Sequence, residues 1–225
     1  NGYASEERII EAIEAGGKDI SISLDSLYPA SQDRINGGFE YSWHKALKAI
    51  ATFSTYLDPK DSFASLGCVM QPYNFGDIED VIRFGSEISW FTSLVPAHVS
   101  EQSHPMGFRT FDKKLRFTSD EYADVDALLD KVRTLRNSGQ LLYDSDQYLD
   151  DIKRFIRNEP TDWRSKNQGI CDSPNLYFAL LPNGEFAPCC DHRLDNSYPA
   201  YDSEFPKIFQ KSDWREEVKH VTSAC

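Results

Sequence analysis

The segment Asp19-Ile20-Ser21-Ile22-Ser23-Leu24-Asp25 decides the fold, because its side chains alternate strictly between apolar and polar. Alternation with a period of two predicts a β-strand with one apolar and one polar face. An amphipathic helix is predicted before it, over residues 4–16, with Ser5 as its N-cap. The polar face of the strand suits the interior of a barrel.

Helices and strands continue to alternate after this strand. A polar, glycine-containing loop is expected over residues 28–38, and a helix over residues 39–57. Strands are predicted over residues 65–71 and 90–95, with a helix over residues 77–88 between them. Strands separated by helices of this length indicate parallel βαβ units with right-handed crossovers. Such a series is typical of a doubly wound sheet or of a β/α barrel, and periodicity alone does not distinguish the two.

Two more helices are predicted after a segment that has no clear periodicity. Residues 97–118 are expected to be irregular. Ser119 is the predicted cap of a helix that ends near Asn137, and Ser145 is the predicted cap of a helix that ends near Arg157. We expect their many acidic residues to lie on solvated helix faces.

The last quarter of the chain has a different pattern. An apolar β run over residues 176–181, a Pro-Asn-Gly turn at residues 182–184 and a return strand at residues 185–187 predict a β-hairpin. A hairpin is not part of a βαβ unit, so we place a boundary near residue 160. The sequence therefore predicts two domains, residues 1–160 and residues 161–225.

Composition and charge exclude several classes of protein. With 40% hydrophobic and 27% charged residues among 225, the chain has the composition of a globular protein. The net charge of −12 repels nucleic acid, and no apolar run is long enough for a membrane span. The N-terminus has no secretory pattern, and an odd number of cysteines argues against a disulfide framework, so we expect a cytoplasmic protein.

The cysteines are the strongest chemical signal in the sequence. Cys68 lies in an apolar run and is expected to be a buried structural residue. The other four are clustered near the C-terminus: Cys171, Cys189, Cys190 and Cys225. The turn at Gly184 folds the hairpin back, so that Cys171 and Cys189 can approach each other, and Cys225 follows a short predicted helix. Thiolates at these spacings suit an Fe–S cluster or Zn²⁺.

This cysteine pattern resembles a known family. The spacing of Cys171, Gly184 and Cys189 is similar to the opening signature of the SPASM and twitch extensions of radical S-adenosylmethionine (SAM) enzymes. Residues 183–190 resemble the "pdGevyPC" stretch of that family, and residues 212–218 resemble the helix before its last cluster cysteines. The resemblance implies an auxiliary 4Fe–4S cluster with three ligands in this chain: Cys171, Cys189 and Cys225.

The first half of the chain resembles the same family. Residues 21–25 are similar to the fourth barrel strand, "iSlDg", in which a Ser and an Arg about eleven residues later hold the SAM carboxylate. Ser23 and Arg34 have that separation here. The segment that ends at Gln71 and Asn74 resembles the fifth strand and its exit, which implies that either residue contacts the SAM ribose. Two further roles are expected: Asp25 as a contact to substrate or ribose, and Cys190 as a catalytic thiol.

The resemblance implies an α/β fold, namely a partial radical SAM (β/α)6-type barrel followed by a hairpin and a helix that bind the auxiliary cluster. It implies that the parent protein generates a 5′-deoxyadenosyl radical from SAM and abstracts hydrogen from a peptide or small-molecule substrate. An electron donor such as ferredoxin or flavodoxin would supply the electron. The Cys-x3-Cys-x2-Cys motif of the SAM-cleaving cluster does not occur in this sequence. We therefore expect a fragment that is inactive alone, with that motif upstream.

Two other functions remain open at this point. The first is a zinc-binding interaction module that uses Cys171, Cys189 and Cys190 with Cys225 or His192. The second is an α/β enzyme without a metal, in which the cysteines are structural. The presence of iron with acid-labile sulfide, of zinc, or of neither would distinguish the three.

Overall fold

The computed structural model describes residues 2–97, 115–159, 161, 178–181, 183–187 and 198–224. The chain divides into two compact units. The first unit comprises residues 1–97 and 113–157, and the second comprises residues 98–112 and 158–225.

The first unit is built on a parallel sheet of three strands in the order β1-β2-β3. The strands are β1 (Asp19–Ser23), β2 (Phe63–Met70) and β3 (Phe91–Pro96). Gly67 in the middle of β2 lies between Ser23 and Ser93 in register, so small residues form one row across the sheet. Beyond β3, the chain at Leu142 forms a single parallel bridge with Thr92. Parallel strands joined by helices are the arrangement that the sequence predicts.

In the described part of the first unit, six helices precede, connect and follow these strands: α1 (Glu6–Glu14), α2 (Pro29–Ile35), α3 (Ser42–Tyr56), α4 (Ile78–Glu87), α5 (Tyr122–Asn137) and α6 (Asp146–Ile156). Short 3₁₀ helices precede α4 and α5, at Phe75–Asp77 and Ser119–Glu121. The predicted caps of α1 and α6 are confirmed, since the Ser5 hydroxyl accepts from the Arg8 N–H and the Ser145 hydroxyl accepts from the Tyr148 N–H.

Two predictions about local structure were wrong. Residues 28–38 were expected to form a loop, but Pro29 begins α2 there, as its fixed φ angle favours at a first helical position. Ser119 was expected to be an N-cap, but Thr118 caps this helical segment in a capping box with Glu121. The cap is therefore one residue earlier, and the helical segment begins with a 3₁₀ turn.

The hydrophobic core lies on one face of the sheet. Ile22, Leu66 and Leu94 from the three strands are buried there, in one cluster with apolar residues of α1, α3, α4, α5 and α6. On the opposite face Ser21 and Ser23 are exposed. Within the described part of the first unit, the helices thus pack on one side of the sheet, whereas a doubly wound sheet has helices on both sides.

Gly85 allows α4 to lie unusually close to the sheet. A Cβ atom at this position would lie 2.7 Å from the Thr92 hydroxyl oxygen and 3.2 Å from a methyl carbon of Leu66. A carbon and an oxygen atom cannot approach to 2.7 Å unless the backbone or a side chain shifts. Glycine in the middle of a helix costs about 1 kcal/mol relative to alanine, so close packing is the physical reason for it here.

The second unit contains an antiparallel pair of short strands, β4 (Ala179–Leu180) and β5 (Phe186–Ala187). Gly184 in the connection has a φ angle of +80°, and a Cβ atom there would lie 3.1 Å from the Tyr201 ring. Pro199 forms an antiparallel bridge with Glu185. A 3₁₀ helix (Phe205–Gln210) and α7 (Ser212–Ala224) complete the described part of this unit. Among the described residues of this unit, one apolar cluster contains buried and half-buried side chains: Phe186, Tyr198, Phe205, Ile208, Trp214 and Val218.

Candidate cofactor site at the carboxyl ends of the strands

Asp25 lies just after the end of β1. Its side chain continues the hydrogen bonding between β1 and β2. The Leu24 N–H donates to the Gly67 carbonyl at 3.0 Å, and the Val69 N–H then donates to Asp25 Oδ1 at 2.7 Å. The carboxylate thus replaces the next backbone carbonyl of β1. Asp25 is only 4% exposed, and this burial raises its pKa to about 6, although the hydrogen bond from Val69 acts in the opposite direction.

Asp144 repeats this arrangement beside β3. The Tyr143 N–H donates to the Thr92 carbonyl at 2.9 Å, and the Leu94 N–H donates to Asp144 Oδ2 at 2.7 Å. The Ser93 hydroxyl donates to Asp144 Oδ1 at 2.8 Å. Burial raises the pKa of Asp144 to about 6. Sequence reasoning missed this residue, although an apolar run that ends in Asp at residues 141–144 is the same signal as Leu24-Asp25.

Asn74 joins the exits of β1 and β2. Its side-chain nitrogen donates to the carbonyl oxygens of Asp25 and Val69, at 2.8 Å each. Its side-chain oxygen accepts from the Gln71 N–H at 3.0 Å. Asn74 and Gln71 are both buried. These contacts give Asn74 a structural role at the site, and a contact of either residue with a ribose stays a prediction.

Three further residues of this network were not predicted. Gln32 of α2 is buried, and its side-chain oxygen accepts from the Asp25 N–H at 2.8 Å and the Ser26 N–H at 2.9 Å. The Ser26 hydroxyl donates to Asp77 Oδ2 at 2.6 Å. Gln32 was missed because its segment was predicted to be a loop, in which a glutamine has no reason to be buried. The network holds the exit of β1 to α2 and to the start of α4.

Arg34 and Ser23 are exposed near the same end of the sheet. The guanidinium carbon of Arg34 lies 4.0 Å from the centroid of the Tyr73 ring, next to Asn74 in the chain. Ser23 is two residues before Asp25 on the exposed face of β1. The structure therefore brings Asp25, Gln71 and Asn74 into one hydrogen-bonded network. Ser23 and Arg34 make no hydrogen bond with each other, and their joint role stays a prediction.

Cys68 is a free thiol in the core of the first unit, in the structural role that the sequence predicts. Burial raises its pKa well above the ordinary value, and the nearby carboxylates of Asp25, Asp77 and Asp144 add to the effect. The predicted metal ligands Cys171, Cys189 and Cys225 lie outside the described residues, as do Cys190 and His192. The described residues contain no cluster of His, Cys, Asp or Glu that is suited to a metal ion.

Comparisons with known proteins identify a likeness of fold. No protein-family model and no curated protein matches the sequence. The structure is similar to two crystal structures of SuiB from Streptococcus suis, each with a TM-score of 0.52 and at 15% and 14% identity. The second of these has S-adenosylmethionine bound. Both matches cover 93% of this chain, which spans about half of SuiB, 47% and 46%.

At this level of identity the likeness concerns the fold and not the chemistry. It shows that the chain shares the fold of SuiB along most of its length, with mixed α/β structure around a parallel sheet. Among the described residues, no helix combines the length and the apolar character that crossing a membrane requires.

Proposed function

We propose that this chain is part of a radical SAM enzyme and forms the fourth to sixth strands of a (β/α)6-type barrel. One observation carries the proposal: a parallel sheet with helices on one side and polar groups gathered at its carboxyl ends, in a fold similar to SuiB over 93% of the chain. In β/α barrels the active site lies at that end of the strands. The cysteine pattern of the second unit supports the same family independently of the fold.

The groups at the carboxyl ends of β1 and β2 suit a ligand such as SAM. Arg34 is exposed, and none of the described carboxylates pairs with it, so its guanidinium can bind a ligand carboxylate in bidentate fashion. The exposed Ser23 hydroxyl can add a hydrogen bond to the same group. Asp25 Oδ2 makes no hydrogen bond within the described residues and can accept one from a ligand hydroxyl or amine. SAM, when bound, supplies the radical that removes a hydrogen atom from the substrate.

The second unit is proposed to hold the auxiliary 4Fe–4S cluster through Cys171, Cys189 and Cys225. Gly184 supports this assignment, because its left-handed backbone turns the chain back between the first two of these cysteines. The substrate is proposed to be a peptide or a small molecule. A ferredoxin or flavodoxin as electron donor, and a cytoplasmic location, belong to the same proposal.

Binding of SAM tests the proposal directly. The complete open reading frame that contains this chain is purified without oxygen and reconstituted with iron and sulfide, and SAM binding is measured by equilibrium dialysis. We expect R34A to weaken binding by about tenfold or more, as the loss of a charged hydrogen-bonded pair implies. R83A is the matched control, because Arg83 is an exposed arginine that pairs with Glu79 on α4.

Two results would contradict the proposal. The first is a protein that contains no iron or sulfide and binds stoichiometric zinc, which indicates the interaction module instead. The second is a reconstituted protein that does not bind SAM. Equal binding by R34A and R83A would leave the family in place and remove Arg34 from the site.

A further inference from the structure

Arg34 differs from other arginines of this acidic protein in what holds its side chain. The chain has a net charge of −12, and six other arginines in the described residues form ion pairs with Asp or Glu: Arg8, Arg83, Arg133, Arg136, Arg154 and Arg157. Arg116 and Arg215 form no ion pair there. In the described part of the chain, Arg34 forms no ion pair. Its guanidinium lies instead over the ring of Tyr73, with 4.0 Å between the guanidinium carbon and the ring centroid.

The backbone that carries Arg34 is anchored on both sides by the two residues before it. Gln32 accepts hydrogen bonds from the N–H groups at the end of β1, as described above. Asp33 Oδ1 accepts from the Ser42 hydroxyl at 2.7 Å and from the Trp43 N–H at 3.1 Å, which fixes α2 to the start of α3. The last turn of α2 is therefore held to both the sheet and the next helix.

Tyr73 is anchored as well. It lies in a turn in which the Asn74 N–H donates to the Gln71 carbonyl at 3.2 Å, and the Gln71 N–H donates to the Asn74 side chain. Asn74 is buried and also bonded to the ends of β1 and β2. The ring is thus presented by a fixed turn, while 36% of the residue stays exposed.

With its central carbon 4.0 Å from the ring centroid, the Arg34 guanidinium donates no hydrogen bond to any of the described residues. A ring attracts the cation through its π face, whereas the N–H donors of a guanidinium point outward in its own plane. One Arg side chain can therefore stack on Tyr73 and bind a carboxylate at the same time. An arginine that is already oriented loses less side-chain entropy when it binds a ligand.

We propose that Tyr73 is a positioning residue, which holds Arg34 with its N–H donors directed toward the carboxylate of the ligand. The inference rests on the proposed function, in which Arg34 binds the SAM carboxylate. Under this proposal, the turn after β2 contributes to recognition of the amino-acid end of SAM. Tyr73 itself need not touch the ligand for this role.

The test compares two ligands that differ in the carboxylate alone, SAM and decarboxylated SAM, on the reconstituted complete protein. We expect Y73L to weaken SAM binding by about five- to tenfold and to leave binding of decarboxylated SAM unchanged, in keeping with a cation–π contact. Y73F keeps the ring and should bind both ligands as the wild type does. In R34A the further change Y73L should have no additional effect.

Y28L is the matched control, since Tyr28 is an exposed tyrosine at the start of α2 whose hydroxyl donates to Asp80 instead. Melting curves of all variants report whether they are folded. The inference is overturned if Y73L weakens both ligands equally, or if Y73F is as weak as Y73L. If the wild-type protein binds neither ligand, the proposed function is wrong, and the role of Tyr73 is wrong with it.

Discussion

At the scale of single residues, Asp25 and Asp144 make the same kind of contact with a neighbouring strand. In each case a side-chain carboxylate accepts a strand N–H, from Val69 of β2 or from Leu94 of β3, in place of a backbone carbonyl. Asparagine could accept the same N–H bond without burying a charge. Because burial of these carboxyls raises their pKa to about 6, ionising them costs folding free energy. A carboxylate that is kept at such a cost at the ends of the strands favours a role in ligand chemistry.

The first prediction concerns the pH dependence of stability. The folded state holds the Asp25 proton more tightly than the unfolded state, since the pKa rises from 3.8 to about 6 on folding. The free energy of unfolding therefore falls as the pH rises between these two values, and stays lower above pH 6. We expect D25N to be more stable than the wild type by about 1–3 kcal/mol at pH 7.5, with little difference at the low end of this range. Urea unfolding at several pH values measures this.

D130N is the control for this prediction, because Asp130 is an exposed aspartate whose pKa is lowered by Lys153 and Arg133. A lowered pKa contributes stability that is present at neutral pH and lost in acid, so this substitution should destabilise slightly at pH 7.5. If D25N and D130N shift stability in the same direction, burial is not the dominant influence on Asp25.

What the sequence revealed about the site differs from residue to residue. Asp25 and Asn74 were found because they follow apolar strand residues in motifs that resemble a family. Ser26 and Asp77 could not be found in this way, because their hydrogen bond joins residues that are 51 positions apart. Only the crossover of the chain brings them together, and a single sequence does not reveal such a pairing.

At the scale of elements, α2 shows where sequence periodicity is insufficient. Six elements of the first unit are amphipathic helices or strands, and their apolar periodicity predicted them close to their observed bounds: α1, α3, α4, β1, β2 and β3. In α2 the only buried residue is Gln32, so the helix has no apolar stripe that periodicity could detect. It is held by hydrogen bonds to backbone groups and not by hydrophobic packing.

The second prediction follows from this dependence. Q32L removes the acceptor of the N–H groups of Asp25 and Ser26 and leaves two buried donors unpaired. We expect a loss of about 2–4 kcal/mol, since each unsatisfied buried group costs about 1–3 kcal/mol. Hydrogen exchange at these two amides should accelerate more than at Leu66 in the middle of β2. Denaturation and exchange measured together check both parts.

Q140L is the matched control for this substitution. The side-chain oxygen of Gln140 is buried and has no hydrogen-bond partner among the described residues, so the same chemical change there should be neutral or stabilising. Equal destabilisation by Q32L and Q140L would mean that the loss comes from the leucine and not from the unpaired donors.

At the scale of the whole molecule, the chain consists of two compact units. The first unit has an extensive core, whereas the described core of the second unit centres on a few aromatic residues around Trp214. Bound metal contributes folding free energy in many small domains. The predicted cluster ligands all belong to this second unit.

The third prediction is that C171A, C189A and C225A each reduce the bound iron and sulfide and destabilise the second unit. Limited proteolysis with mass spectrometry should then show faster cleavage within residues 158–225, while residues 19–97 stay protected. C68A is the control, because Cys68 lies in the core of the first unit. Its change should lower stability without loss of iron. Iron loss in C68A, or full iron content in the other three variants, contradicts the assignment.

Gly85 and the network at the strand ends are mechanically connected through α4. The glycine sets the height of this helix above the sheet, and Asp77, which holds Ser26, lies just before the helix begins. The helical segment between Asp77 and Gly85 spans about 12 Å, at 1.5 Å per residue. We therefore expect an added methyl group at residue 85, as in G85A, to shift α4 and with it Asp77. We expect the positions of the residues at the carboxyl ends of the strands to depend in this way on a packing contact of Gly85, which lies outside the proposed ligand site.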